Sequence, residues 1–392
     1  MVINGRPLKH QTMNSLAQHK IGVAEIFHLF KDDFLKLYPQ PAEHHQVMHL
    51  IQACRTAKLG GHLQTCDHCN FSKPMYNSCR CRMCPQCQSL KKERWVSARK
   101  NELLPCSYLH GVFTLPHEIN ILASRNKDII YKTLFTAVAQ TLQKFALDSL
   151  KGQLGFISVL HTWDQKLNRH IHLHCIIPAG AFGRAQSKWI PSKRDDFLFP
   201  VRALSKVYKA KFIQMLRQNF EKLELPNHLQ KPEDFNNFLD SLWNKKWVVY
   251  AKQPFKGPEK VIEYLGRYTH KTAISNSRIL KIQGNTVTIK YRDRRDNNTE
   301  KNMEINGSDF LRRFMLHTLP KGFHRIRHYG FLAHRFKNQN IEAIYKALQK
   351  CRPQSSQQLN AVSFFKTKFN IDITRCPQCK KGTLCANSRP PP

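Results

Sequence analysis

The sequence lacks a long hydrophobic segment, since no run approaches the roughly 18 apolar residues that a membrane-spanning helix requires. No apolar stretch follows the opening residues, so we expect no secretory signal. The 13 cysteines are clustered rather than spread, which is not typical of a disulfide framework. A membrane protein and an exported disulfide scaffold are therefore not expected, and we predict a cytoplasmic protein.

Acidic residues are also scarce, with 27 Asp and Glu against 63 Lys and Arg, which gives a net charge of +36. So large an excess predicts a polyanionic partner, and nucleic acid is the commonest one. A membrane surface is the second candidate. The 392 residues, of which 41% are hydrophobic, are enough for two or three domains with buried cores.

The sequence pattern predicts three regions. Residues 1–104 appear as helices followed by a cysteine-rich segment, residues 105–340 mix strands and helices, and residues 341–392 form a basic tail with Cys376-Pro-Gln-Cys379. In the middle region, strands and helices follow one another in the order strand, helix, strand, strand, helix, strand. This order predicts an α+β domain with an antiparallel sheet flanked by helices.

Two C-x-x-C motifs lie close together, Cys66-Asp-His-Cys69 and Cys84-Pro-Gln-Cys87, and residues 70–83 separate them. Two such knuckles can surround one zinc ion with four thiolates and leave no open position. We therefore predict one structural zinc site from these four cysteines. The alternative, a set of inert buried thiols, does not explain the doubled spacing.

Other residues could build a second zinc site, but some of them also fit other roles. Cys54 also fits the apolar face of a helix, and His62 also fits an ordinary loop. The half-knuckle at Cys376 and Cys379, with Cys385 behind it, has no obvious fourth ligand. The residues that could build the second site are Cys54, His62, Cys79 and Cys81.

The segment LHTWDQKLNRHIHLHC predicts a hairpin with three histidines on one face. A turn centred between Lys166 and Leu167 places His161 opposite His172. His172 and His174 share a face because side chains alternate along a strand. Three imidazoles with open positions beside them suit a divalent metal that also holds a substrate oxygen. His170 lies nearer the turn, and a solvated polar row is the alternative.

Two tyrosines follow in a predicted helix over Glu259–Ala273. Tyr264 and Tyr268 are four residues apart and leave the same helix face. A phenol can attack a phosphodiester when positive charge stabilises the phenolate, and Arg267, Lys271 or a metal could supply that charge. Packing in a core stripe is the alternative for the two rings.

Together these residues resemble a known family. His172-Leu173-His174 resembles the HUH motif of single-strand endonucleases, and with Tyr264 and Tyr268 the pattern resembles the two-tyrosine HUH transposases of rolling-circle insertion sequences. The segment NSCRCRMCPQCQ is similar to the zinc-binding domain of that family, and the resemblance extends from about Phe27 to Phe336. Cys81 and Met83 stand where the family pattern has Asn and His.

The resemblance implies an HUH-endonuclease-like sheet preceded by a helical zinc-binding domain. It also implies a mechanism in which His172 and His174, with His161 as third ligand, hold Mg²⁺ or Mn²⁺ against single-stranded DNA. A tyrosine then becomes joined to the 5′-phosphate. A replication initiator or relaxase with the same chemistry, and a zinc-dependent DNA-binding protein without strand-transfer activity, are the competing interpretations.

The basic and aromatic segment from Phe310 to Lys337 predicts contacts with unpaired DNA, because cations can follow the backbone while aromatic rings stack on bases. The alternative is a basic surface whose aromatic residues belong to the core. The predicted DNA-binding residues are Arg267, Lys271, Arg325 and Arg327, and the interleaved rings are Phe323, Tyr329, Phe331 and Phe336.

Overall fold

The computed structural model describes residues 21–183, 185, 187–193, 198–255, 260–261, 266, 270–293, 295–353 and 360–387. The α-helices in this part are α1 (Val23–Leu37), α2 (Ala42–Gln52), α3 (Gln88–Lys100), α4 (Asn120–Arg125), α5 (Lys127–Leu150), α6 (Val201–Gln218), α7 (Pro232–Trp243), α8 (Gly307–Met315), α9 (Lys337–Ala347) and α10 (Ala361–Phe369). The strands are β1 (Gly61–Cys66), β2 (Ser72–Tyr76), β3 (Tyr108–Thr114), β4 (Phe156–Trp163), β5 (Arg169–Pro178), β6 (Gly180–Gly183), β7 (Lys188–Pro191), β8 (Val249–Phe255), β9 (Ile279–Gln283), β10 (Thr286–Asp293), β11 (Thr299–Asn306), β12 (Ile326–Tyr329) and β13 (Leu384–Asn387).

A five-stranded antiparallel sheet forms the centre of the molecule, with the strand order β12-β4-β5-β3-β8. The predicted α+β class with an antiparallel sheet flanked by helices is confirmed. The hairpin of β4 and β5 places His161 opposite His172, so the predicted register is also confirmed. The edge strand β12 was not predicted, because Arg327 and His328 interrupt its short apolar pattern.

Helices cover one face of this sheet because that face is apolar. Leu160 on β4 and Leu173 on β5 are paired and buried, and they belong to one core with α5, α6 and α7. Tyr208 and Phe212 on α6 contribute fully buried rings to the same core. Since side chains alternate along a strand, the histidines next to these leucines in the sequence point to the opposite face.

The N-terminal helices pack on a later part of the chain. Phe27 and Phe34 of α1 share a core with Phe310 and Phe314 of α8 and with the three-stranded sheet β9-β10-β11. A Cβ atom added at Gly307 would lie 2.3 Å from the ring of Phe30, so α1 and the start of α8 are in close contact. These contacts cross the predicted boundary at residue 104.

The C-terminal segment returns to the N-terminal region. Strand β13 pairs antiparallel with β1, with Cys66 opposite Leu384 and Leu63 opposite Asn387. Helix α10 lies against α3. The described parts of the predicted tail therefore pack on the rest of the chain.

Candidate active site and cysteine clusters

Three histidines converge on the sheet face opposite the apolar core. His161 on β4 and His172 and His174 on β5 are all buried, and each offers one ring nitrogen within 4.8 Å of the others. The Nε2 atoms of His172 and His174 lie 3.1 Å apart. Neighbouring ligands of an octahedral ion at about 2.1 Å would lie about 3.0 Å apart, so the nitrogens of His172 and His174 fit two neighbouring positions on a divalent metal. His161 is close enough to be the third ligand.

Hydrogen bonds at the Nδ1 atoms orient two of these rings. His172 donates from Nδ1 to the carbonyl oxygen of His170 at 2.9 Å. His174 Nδ1 lies 2.9 Å from Nε2 of His110, a buried residue on β3. Both contacts leave Nε2 on the shared side, as ligating histidines with outer hydrogen-bond partners require. His170 is exposed and lies outside the group of three.

His110 was missed by the sequence reasoning. It lies on the same sheet face as His174, because Val112 is the residue opposite His174 and His110 is two residues further along β3. The alternation in Ser107–Pro116 could have indicated the face of the strand on which His110 lies. It could not have indicated that β3 pairs with β5, because that pairing depends on the tertiary fold.

The histidines open into a cleft of about 720 Å³ between the central sheet, the β4–β5 turn and the small sheet of β9, β10 and β11. Arg278 ties two of these walls together, because it donates to the carbonyl oxygens of Gln165 and Lys290. Lys166 lies over the ring of Tyr291, 4.7 Å from its centroid. Cations outnumber the two acidic residues, Asp164 and Asp293, in the described lining: Lys166, Arg169, Lys271, Arg278, Arg292, Arg295, Arg312 and Arg313.

Of the cations in the described lining, only Lys271 was among the predicted DNA-binding residues. Arg325 donates to the carbonyl oxygen of Lys271 at 3.1 Å, and burial lowers the pKa of its guanidinium to about 10. Arg327 packs its guanidinium 4.2 Å from the ring centroid of Phe135. Neither Arg325 nor Arg327 lines the cleft, and their contact with DNA stays a prediction.

The aromatic residues of the same segment are mainly core residues. Phe323 and Phe331 are buried, and Tyr329 stacks on Phe156 with ring centroids 4.9 Å apart. Phe336 is 46% exposed. The prediction that these rings stack on DNA bases is wrong for Phe323 and Phe331, because they fill the core beside the sheet.

Tyr264, Arg267 and Tyr268 lie outside the described residues. Two described residues, one before and one after Tyr264 in the sequence, contact the rest of the molecule. Val261 is fully buried against Tyr108 and Ile176, on β3 and β5. A Cβ atom added at Gly266 would lie 2.7 Å from Val96 of α3.

The cysteines form two groups, and neither is the predicted one. Cys84 and Cys87 lie with Cys54 and Cys79, whereas Cys66 and Cys69 lie with Cys376 and Cys379. The single site from Cys66, Cys69, Cys84 and Cys87 is therefore wrong. The expectation of one ion shared by two neighbouring knuckles failed because each knuckle has a partner elsewhere in the chain.

The first group is part of the N-terminal core. Sγ of Cys87 lies 3.5 Å from Sγ of Cys54 and 3.5 Å from Sγ of Cys79. A tetrahedral zinc ion with sulfur at about 2.3 Å would place its ligands about 3.8 Å apart, so four thiolates at this spacing fit zinc. Two candidates for a second site, His62 and Cys81, belong to neither group.

Comparisons with known proteins agree with this arrangement. A family described as "Putative transposase" matches residues 155–340, and one described as "Transposase zinc-binding domain", of the IS91 type, matches residues 26–115. The chain is 39% identical over 374 residues to "Putative transposase y4qJ" of Sinorhizobium fredii, covering 92% of this chain and 94% of that protein. The chain belongs to the IS91-type family of rolling-circle transposases.

A second relative of this transposase is the "Transposase for insertion sequence element IS801" of Pseudomonas savastanoi pv. phaseolicola. It is 29% identical over 334 residues, which is 83% of this chain and 79% of that protein. Among solved structures, a metal-bound complex of the conjugative relaxase TrwC with oriT DNA has a TM-score of 0.25 at 22% identity. It covers 29% of this chain and 43% of that chain.

The IS91-type transposase is thus an enzyme that cleaves DNA and transfers strands, and it carries structural zinc in its N-terminal domain. The histidine group lies within the segment matched by the transposase family. Cys54, Cys66 and Cys87 lie within the zinc-binding match, whereas Cys376 lies outside both matches. In the described part of the chain, no helix is long and apolar enough to cross a membrane.

Proposed function

We propose that the transposase nicks and rejoins single-stranded DNA at the ends of its insertion sequence, through a covalent 5′-phosphotyrosine. The observation that carries this proposal is the convergence of His161, His172 and His174 on the floor of a cleft lined by cations. A phosphodiester placed in that cleft would meet positive charge on several sides, and the histidine nitrogens beneath it.

The three histidines are the proposed ligands of the catalytic divalent ion, Mg²⁺ or Mn²⁺. Such an ion, when bound, supplies charge neutralisation at the attacked phosphate and at the departing oxygen. His110 and the carbonyl of His170 hold the rings of His174 and His172, so that these two ligands are oriented before DNA arrives.

Tyr264 and Tyr268 are the proposed nucleophiles. The phenolic oxygen of one tyrosine attacks phosphorus, the bond to the 3′-oxygen breaks, and the phenolic proton is lost while the 3′-oxygen gains one. Since free tyrosine has a pKa of about 10, attack at neutral pH needs nearby cations, and we assign that role to Arg267 and Lys271. Two nucleophiles suit two successive strand transfers.

Access to chromosomal DNA is necessary for this activity, so we also propose that the transposase works in the bacterial cytoplasm, bound to the nucleoid. The net charge of +36 supports DNA association that is strong even without sequence recognition.

The test is covalent capture of labelled oligonucleotides that carry the ends of the element. Single-stranded substrate with Mg²⁺ or Mn²⁺ should give a protein–DNA adduct on a denaturing gel, and duplex substrate or EDTA should not. The double variant Tyr264→Phe/Tyr268→Phe should lose the adduct and keep DNA binding within a few-fold. Tyr291→Phe is the matched control, because Tyr291 lines the same cleft. An adduct that survives in the double variant would refute the proposed nucleophiles, and one that forms fully in EDTA would refute the metal.

A further inference from the structure

The second cysteine group joins segments that lie about three hundred residues apart in the chain. Sγ of Cys66 lies 3.7 Å from Sγ of Cys379, and Sγ of Cys69 lies 3.7 Å from Sγ of Cys376. These separations are much longer than a disulfide bond of about 2.05 Å. They match the spacing of about 3.8 Å between two sulfurs of a tetrahedral zinc site.

The two knuckles also have the same backbone conformation. The residue after each second cysteine adopts a left-handed conformation, with φ of 57° at Asn70 and 58° at Lys380. The amide of Asn70 donates to the carbonyl of Cys66 at 3.2 Å, and the amide of Lys380 donates to the carbonyl of Cys376 at 3.1 Å. Two matching turns that face each other are the usual construction of a four-thiolate zinc site.

Backbone amides point at the sulfurs in both knuckles. The amide of His68 donates to Sγ of Cys66 at 3.4 Å, and the amide of Gly382 donates to Sγ of Cys379 at 3.3 Å. Such bonds stabilise the charged form of sulfur, which is the form that binds metal.

Position 382 has no room for a side chain, so it requires glycine. A Cβ atom at this position would lie 2.5 Å from Sγ of Cys66 and 2.6 Å from Oδ1 of Asp67. The same Asp67 oxygen accepts a hydrogen bond from the amide of Thr383 at 2.7 Å. The C-terminal knuckle is therefore fitted closely against the N-terminal one.

We propose that Cys66, Cys69, Cys376 and Cys379 bind a second structural zinc ion, which fastens the C-terminal segment to the N-terminal domain. We call these four residues the zinc clasp. The family match to a zinc-binding domain ends at residue 115 and does not include the second knuckle.

The clasp has a consequence for the neighbouring helices. It anchors the segment that follows α10, and α10 lies on α3, where Lys368 and Glu93 form an ion pair. Helix α3 in turn contacts Gly266 through Val96. The clasp therefore holds α10 against the helix that contacts Gly266.

Zinc content measures the clasp directly. The full-length protein should be prepared with His172→Ala, so that the histidine group cannot contribute zinc. We expect two zinc ions per chain by elemental analysis, and one in Cys376→Ser/Cys379→Ser. Cys385→Ser is the matched control, because Cys385 is exposed on β13 and belongs to neither cysteine group. It should keep both ions.

Two further measurements separate loss of zinc from loss of fold. Gly382→Ala keeps every ligand and should lose one zinc ion to a chelator faster than the parent protein. Hydrogen exchange in β1 and β13 should quicken in the double serine variant, while exchange in β4 and β5 stays unchanged. An equal zinc content in the parent protein and in the double serine variant would overturn the proposal.

Discussion

Nε2 of His110 and Nδ1 of His174 lie 2.9 Å apart, and their ring planes are within 14° of parallel. The contact joins β3 to β5 on the face where the three histidines converge. It occupies the nitrogen of His174 that faces away from His172, so the opposite nitrogen is presented to the shared site. An imidazole that accepts a hydrogen bond is neutral. His110 therefore orients the ring of His174 without the negative charge that a carboxylate partner would add.

We expect His110→Ala to weaken Mn²⁺ binding by about 10- to 100-fold, because outer hydrogen-bond partners of metal ligands typically contribute that much. The measurement is titration calorimetry with Mn²⁺ on protein whose cysteine sites retain zinc. His110→Gln keeps a polar group near Nδ1 of His174 and should recover part of the affinity.

His228→Ala is the control for loss of a histidine, because His228 lies outside the histidine group and the cleft. Unchanged Mn²⁺ affinity in His110→Ala, with the fold intact by circular dichroism, would show that His110 does not position the ligand.

The contrast between His161 and His110 shows what the sequence could predict. A two-strand hairpin has a local register, so the turn position alone placed His161 opposite His172, as the structure has it. His110 reaches the site through the pairing of β3 with β5, which depends on the whole sheet. Local patterns carry no information about such pairings.

The prediction that the two N-terminal knuckles share one zinc ion failed for the same reason. Short spacing suggested that Cys69 and Cys84 share an ion, because loop closure is cheapest between near neighbours. In the structure, Cys69 meets Cys376 instead, since β13 pairs with β1. The C-x-x-C spacing identified the ligand pairs, but only the tertiary fold decides which pairs combine.

The two cysteine groups should release zinc at different rates. Cys54, Cys84 and Cys87 lie in the N-terminal core with Phe27 and Phe314. In the clasp, Cys69 and Cys379 are only partly buried. A chelator reaches the more exposed ion first, so we expect two kinetic phases of zinc release followed with a colorimetric chelator, with the fast phase missing in Cys376→Ser/Cys379→Ser. A single phase of equal amplitude in both proteins would contradict this order.

His317 should make the fold sensitive to acid. Its Nε2 donates to the carbonyl of Leu167 at 3.1 Å, and its Nδ1 lies 3.2 Å from the hydroxyl of Thr162. Burial lowers its pKa from 6.5 to about 3. Between these values the unfolded chain binds a proton that the folded chain excludes, so stability is lost as the pH falls from about 6.5 towards 3.

The free energy of unfolding in urea should therefore fall more between pH 7.5 and pH 5.5 in the parent protein than in His317→Gln. The expected difference is about 1.4 kcal/mol, because one pKa unit corresponds to that free energy and pH 5.5 lies about one unit below the usual imidazole pKa. Equal pH dependence in the two proteins would show that His317 is not the responsible group.

The basic residues of the cleft, rather than those of β12, should account for the salt dependence of DNA binding. Arg295 is exposed in the cleft, whereas Arg327 packs on Phe135 and Phe323 away from it. A cation that neutralises one phosphate of single-stranded DNA contributes about 0.7 to the slope of log affinity against log salt concentration. We expect Arg295→Ala to reduce the slope for single-stranded DNA by about 0.7, the single-strand value.

Arg327→Ala should leave the slope unchanged and lower the stability of the fold through lost packing. Fluorescence anisotropy at several salt concentrations, with urea unfolding of the same proteins, distinguishes the two roles, and a reduced slope in Arg327→Ala would restore β12 as a DNA contact.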